Sequence, residues 1–137
     1  MEKETLKRIF EFLEEKEGHN TPFLWKWKNE IPLTEKDLDI EGDLDLSYSN
    51  IESLPEGLEI SGDLNLTFCE KISSLPEGLI VRGNLILEDC YELHSLPEGL
   101  KVGGTLYIYT SPLGEYSNSQ LRNMVGDDGY LNRIHYY

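Results

Sequence analysis

Leucines recur as pairs with one residue between them, at Leu44/Leu46, Leu64/Leu66 and Leu85/Leu87, with Leu106/Ile108 as a fourth. Alternation of this kind predicts a short strand with one face buried. A branched residue and a glycine stand in front of each pair: Ile40/Gly42, Ile60/Gly62, Val81/Gly83 and Val102/Gly104. The glycine predicts a turn or bulge feeding the strand. Between strands one phrase, Ser-Leu-Pro-Glu-Gly-Leu, fills 53–58, 74–79 and 95–100, each copy 21 residues after the last. Its proline presets the first corner position and its glycine falls last, which predicts a type I turn rather than a helix. The spacing from proline to the next pair is constant: Pro55 to Leu64, Pro76 to Leu85, Pro97 to Leu106.

A fixed period implies a solenoid. One copy has too few apolar side chains to offset the backbone entropy of ordering it. Stacked copies share strand hydrogen bonds and bury each other's leucines, so repetition is what makes folding possible. Five positions after the first leucine of each pair stand Ser49, Cys69, Cys90 and Ser111. A small polar or thiol side chain there is placed to satisfy backbone groups inside the bend.

Over residues 38–113 this pattern resembles the leucine-rich repeat family, whose repeat runs Leu-x-x-Leu-x-Leu-x-x-Asn/Cys-x-Leu. It departs from the family in the glycine that replaces one leucine before the strand, and in one extra residue before Ile72 and Leu93. The Leu-Pro-Glu-Gly-Leu phrase also resembles the LPX-type repeats of secreted bacterial effectors. Together with the tail from Ser111 to Tyr130 it is similar to short repeat proteins of bacteriophages and gut bacteria. The expected fold is a leucine-rich-repeat-like parallel β solenoid of about four coils over 38–113, with caps at 1–37 and 114–137. In the first cap, Leu6, Ile9, Phe10 and Leu13 share a helical face and Gly18 is a stop signal. Phe23, Trp25 and Trp27 alternate and predict an aromatic strand. In the second, Ser117 and Gln120 fit a capping box, and residues 130–137 predict a last strand.

Charge narrows the function. The 26 acids against 12 Lys and Arg give a formal −14, which disfavours nucleic acid and anionic membranes and favours a basic partner. No apolar run approaches the ~20 residues that span a bilayer, and the first 18 residues do not read as a secretion signal. The expected location is the cytoplasm, of a cell or of an infected host.

No phosphate loop, catalytic triad or metal signature is present, so neither catalysis nor a cofactor is expected. Cys69 and Cys90 lack a Cys-x-x-Cys partner, and His19, His94 and His135 are scattered; the cysteines read as ladder residues of the bend. Glu56, Glu77 and Glu98 repeat in register and predict a solvated acidic row. Trp25 and Trp27 with Lys26 and Lys28 could stack single-stranded nucleic acid, but on so acidic a chain they read as cap packing.

The outward strand positions vary while the core repeats. They form three columns: Asp43/Asp63/Asn84/Thr105, Asp45/Asn65/Ile86/Tyr107 and Ser47/Thr67/Glu88/Tyr109. In solenoids the strand face is the extended binding surface, so Asp45, Asn65, Ile86, Glu88, Tyr107 and Tyr109 are the expected partner-binding residues. Partial cover of this face by the C-terminal segment is the competing expectation. The function expected is non-catalytic binding of a protein. The resemblance implies a phage or mobile-element origin and, as a candidate purpose, inhibition of a host protein in defence. An acidic nucleic-acid mimic that inhibits a nuclease or nucleic-acid-binding enzyme, and a structural or self-assembling component, are the alternatives. Oligomeric state is left open.

Overall fold

A computed structural model describes residues 23, 26, 27 and 29–136. The expected solenoid is present. Each coil carries two short strands on either side of a glycine corner. They are β1 (Asp39–Ile40) and β2 (Leu44–Asp45), β3 (Glu59–Ile60) and β4 (Leu64–Asn65), then β5 (Ile80–Val81) and β6 (Leu85–Ile86). In the next coil both merge into β7 (Lys101–Tyr107). All neighbours pair in parallel, in two ladders that meet at β7, so the chain makes about three turns between β1 and β7.

The corner explains the glycine column. Gly62 N–H donates to the Gly42 carbonyl, Gly83 to Gly62, and Gly104 to Gly83, at 2.8–2.9 Å. Above this contact the Asp43 carboxylate accepts from the Asp63 backbone N–H, and Asp63 from Asn84, both at 2.7 Å. Asn84 accepts from Thr105 N–H at 2.8 Å. The first outward column therefore works inside the fold, tying each coil to the next.

The Leu-x-Leu positions point inward as expected. Leu64, Leu66, Leu85, Leu87, Leu106 and Ile108 are all fully buried, with Ile72, Leu79 and Leu93 closing the far side. The far-side turn differs from expectation by one residue. Leu79 N–H bonds to Pro76 O and Leu100 N–H to Pro97 O, so proline is the first residue of the turn and glycine the third. Gly57, Gly78 and Gly99 have φ of +83°, +73° and +77°, as the third position of a type II turn requires.

At the first end, Phe23, Lys26 and Trp27 are helical, which corrects the expected aromatic strand. Alternation and a helical i, i+3, i+4 face overlap in so short a stretch, and tertiary contacts select the helix. Phe23 is buried in the core. Lys26 is paired with Asp37 at 3.1 Å, the two side chains only 4% and 7% exposed. Asp37 lies in the single-turn helix α1 (Glu35–Leu38), where it also closes a capping box with Thr34. Trp27 Nε1–H donates to Ser53 O at 3.0 Å. The helix expected around Leu6–Leu13 lies outside the described residues, as do Trp25 and Lys28.

At the other end a 3-10 turn (Pro112–Glu115) leads to α2 (Asn118–Val125), whose Ser117/Gln120 capping box forms as expected. Gly99 N–H donates to Val125 O, as Gly78 N–H does to Glu98 O. Helix α2 thus takes the place of the proline turn in a further coil. That coil ends in β8 (Tyr130–His135), which pairs in parallel with β7.

Candidate interaction surface

The middle outward column runs in register as Asp45, Asn65, Ile86, Tyr107 and His135. Its two ends differ in kind. The Asp45 carboxylate accepts from the Ser47 N–H at 3.0 Å and hydroxyl at 2.6 Å, and Asn65 repeats both bonds with Thr67. The Ser47 hydroxyl and N–H hold the Asp45 carboxyl below its ordinary value. These two side chains therefore fold back on their own strand. From the next coil onward Ile86 and Tyr107 replace them with half-buried apolar surface, beside half-buried Glu88 and Tyr109, which is 51% exposed. Of the expected binding residues, Ile86, Glu88, Tyr107 and Tyr109 form the apolar end of the face; Asn65 lies in register beside Ile86, and Asp45 one coil farther.

The C-terminal segment extends this face where cover was the competing expectation. Strand β8 adds Arg133 beside Thr105 and His135 beside Tyr107. The Tyr107 and His135 rings meet edge to face at 5.3 Å. The face thus grades from aspartates through an apolar middle to a basic end. Arg133 and His135 escaped sequence reasoning because β8 follows Lys101 by 29 residues rather than 21, through the inserted helix.

A second feature was also missed. After each strand one residue has positive φ: Tyr48 (61°), Phe68 (59°), Asp89 (56°) and Thr110 (53°). Tyr48 and Phe68 stack with centroids 5.4 Å apart, and Tyr91 meets Phe68 edge to face at 5.8 Å. A left-handed backbone costs a side-chain-bearing residue roughly 1–2 kcal/mol, and an aromatic pair returns about 0.5–1.5 kcal/mol. The two nearly cancel, so the rings add little to the fold. Reading the column one position past Ser47 and Thr67 would have revealed them.

The remaining candidates resolve toward structure. Cys69 and Cys90 are free and buried. Their Sγ–H groups donate to Leu46 O at 3.1 Å and Leu66 O at 3.0 Å. Burial, then the charge of Cys69 and Asp89, pushes the Cys90 thiol up to about 12, far from a nucleophile at neutral pH. Glu56, Glu77 and Glu98 are exposed, and Glu77 and Glu98 join Asp127, Asp128 and Lys101 around a recess of about 590 Å³. Lys26 and Trp27 are engaged in packing the first coil. Among the described residues no group of three His, Cys, Asp or Glu side chains is placed to hold a metal ion, and no helix is long and apolar enough to cross a membrane.

No protein-family model, curated protein or solved structure matches the chain.

Proposed function

We propose that the chain is a non-catalytic protein-binding module that holds its partner against the strand face of the solenoid. The observation that carries this reading is the patch of Ile86, Tyr107 and Tyr109 beside Glu88, set on strands whose inward positions are invariant leucine or isoleucine. Apolar and aromatic side chains left at the surface of an otherwise acidic chain suit a protein contact, in which tyrosine is enriched and charged residues are depleted at the core. The resemblance to short repeat proteins of bacteriophages and gut bacteria supports a mobile-element origin. On that reading the partner is a host protein, met in the cytoplasm and inhibited by being bound.

The exposed row Glu56, Glu77 and Glu98, whose last two members share a recess with Asp127 and Asp128, favours a second reading as an acidic mimic of nucleic acid. Affinity capture with paired variants separates the two. Tyr109→Ser abolishes capture of a partner that wild type retains, if the strand face binds; Glu56→Gln with Glu77→Gln abolishes it, with steep salt dependence, if the acidic row does.

A further inference from the structure

We propose that the aromatic ridge at the corner after the strands, Tyr48, Phe68 and Tyr91 with Glu70 and Asp89, is a docking surface for arginine side chains of a basic protein segment. It uses different side chains from the strand face and stands independently of that proposal.

The first ground is shape. Tyr48 is 73% exposed and Tyr91 45% exposed. Tyr48 stacks on Phe68 and still keeps most of its surface exposed, which leaves ring surface for a planar cation. Beside the stacked pair lies a recess of about 150 Å³, lined by Tyr48, Ser49, Asn50, Phe68, Glu70 and Lys71. It has the size to take the head of one side chain.

The second ground is charge. Glu70 and Asp89 both act on the Tyr91 hydroxyl, which donates to Asp89 at 3.3 Å. Partial desolvation and these two carboxylates raise its titration above the ordinary tyrosine value. Among the described residues Lys71 is the one cation that lines the recess, on a chain of formal charge −14. Rings bordered by carboxylates recognise a cation that can stack and donate hydrogen bonds together. Guanidinium does both, whereas an ammonium is a compact, strongly hydrated point charge.

The third ground is the local mismatch between backbone and side chain. The corner needs positive φ, which suits Asn, Asp or Gly. Asp89 meets that need and accepts a hydrogen bond from the Thr110 hydroxyl of the next coil. Tyr48 and Phe68 go against it, as does Thr110 in the last coil, and the two rings build the ridge together with Tyr91. Sites where local preference is broken and ring packing does no more than offset the cost are where function is expected.

The mismatch also supplies a clean test, because Asn at 48 and 68 gives the corner a residue its backbone favours. Binding of an oligo-arginine peptide and an oligo-lysine peptide of equal length is measured on the full chain by calorimetry at fixed salt. Wild type is expected to prefer arginine by about fivefold or more. Tyr48→Asn with Phe68→Asn is expected to remove the preference at unchanged thermal stability. Ring-proton resonances of Tyr48, Phe68 and Tyr91 in wild type are expected to shift with the arginine peptide and far less with lysine, a readout that needs no variant. Equal affinities for the two peptides, or a preference that survives the double variant, overturn the proposal. Loss of the preference in Tyr109→Ser alone places the guanidinium on the strand face, which overturns the ridge and leaves the protein-binding proposal standing.

Discussion

The Asp43 carboxylate fills the space that a Cβ on Gly62 would need in the coil above. Asp63 stands in the same relation to Gly83, and Asn84 to Gly104. The glycine column and the Asp/Asn column are thus one device: the missing side chain in one coil makes room for the hydrogen-bonding side chain of its neighbour.

Gly83→Ala is therefore expected to destabilise by about 1–3 kcal/mol through overpacking. Asp63→Ala should not rescue it, since the Gly62 carbonyl oxygen also lies 2.7 Å from the added carbon. Gly78→Ala meets open space but a φ of +73°, and costs only ~1–2 kcal/mol from backbone strain. Chemical denaturation of all three variants checks this; a full rescue by Asp63→Ala would show that the carboxylate alone forbids the side chain.

Leu66→Ala at a fully buried central position is expected to cost about 2–5 kcal/mol, because coils above and below cannot both collapse on the cavity. A shift in unfolding free energy below about 1 kcal/mol would place Leu66 outside the cooperative core.

What could be read in advance follows from how local each signal is. The Leu-x-Leu pairs, the 21-residue period and the Ser117/Gln120 capping box are properties of contiguous residues, and each forms as expected. Fold and inward set were legible for that reason. Leu-Pro-Glu-Gly-Leu accommodates two overlapping four-residue turns, and the hydrogen bond from Leu79 N–H to Pro76 O selects the later one. Phe23 and Trp27 alternate as a strand would, and no pattern within 23–28 shows that Lys26 finds Asp37 eleven residues on. Half of the candidate site was legible. Ile86, Tyr107 and Tyr109 project as alternation requires, but Arg133 and His135 join them only through a register that the inserted helix α2 conceals.

Cys90 makes stability depend on pH at the alkaline end. Its folded value of about 12 lies above the reference 9.0, so the folded state holds this proton where the unfolded chain releases it. The contribution is complete below about 9 and is lost as pH rises toward 12. Wild type should thus lose more stability over this window than Cys90→Ser, whose hydroxyl can still donate to Leu66 O. Parallel unfolding curves for the two across pH 9 to 12 would contradict the burial of the thiol. Thiol reagents should label native Cys69 and Cys90 only on unfolding.

At the acidic end the group to watch is Asp37. Burial raises its pKa, but bonds from the Thr34 N–H, Lys26 and the Thr34 hydroxyl outweigh this and hold it below 3.8. A depressed carboxylate stabilises the fold fully above its unfolded value, and that contribution is lost as pH falls through the lower folded value. The first-coil cap should therefore loosen below about pH 3.8, seen as faster amide exchange at Ile31, whose N–H bonds Lys26 O. Asp37→Asn should produce the same loosening at neutral pH, costing about 3–5 kcal/mol locally because the Lys26 ammonium is left buried without its partner. Unchanged exchange at Ile31 in that variant would mean the pair does not hold the cap.

The strand-face patch makes the sharpest claim on function. A partner that buries Tyr109 gains an aromatic anchor worth ~2 kcal/mol or more on truncation, about thirtyfold in affinity. Solvated glutamates at a rim contribute ~0–1 kcal/mol each. Tyr109→Ser changes an exposed side chain with no ring partner among the described aromatic contacts, so the fold should be untouched while affinity falls. Tyr107→Ser should weaken binding too, but it also removes the ring against His135 and loosens β8, which a faster exchange of the Ile108 amide bonded to His135 O would report. Comparing the two separates direct contact from support. If Tyr109→Ser binds like wild type while Glu56→Gln with Glu77→Gln loses the partner, the acidic row is the binding surface and the strand face is scaffold.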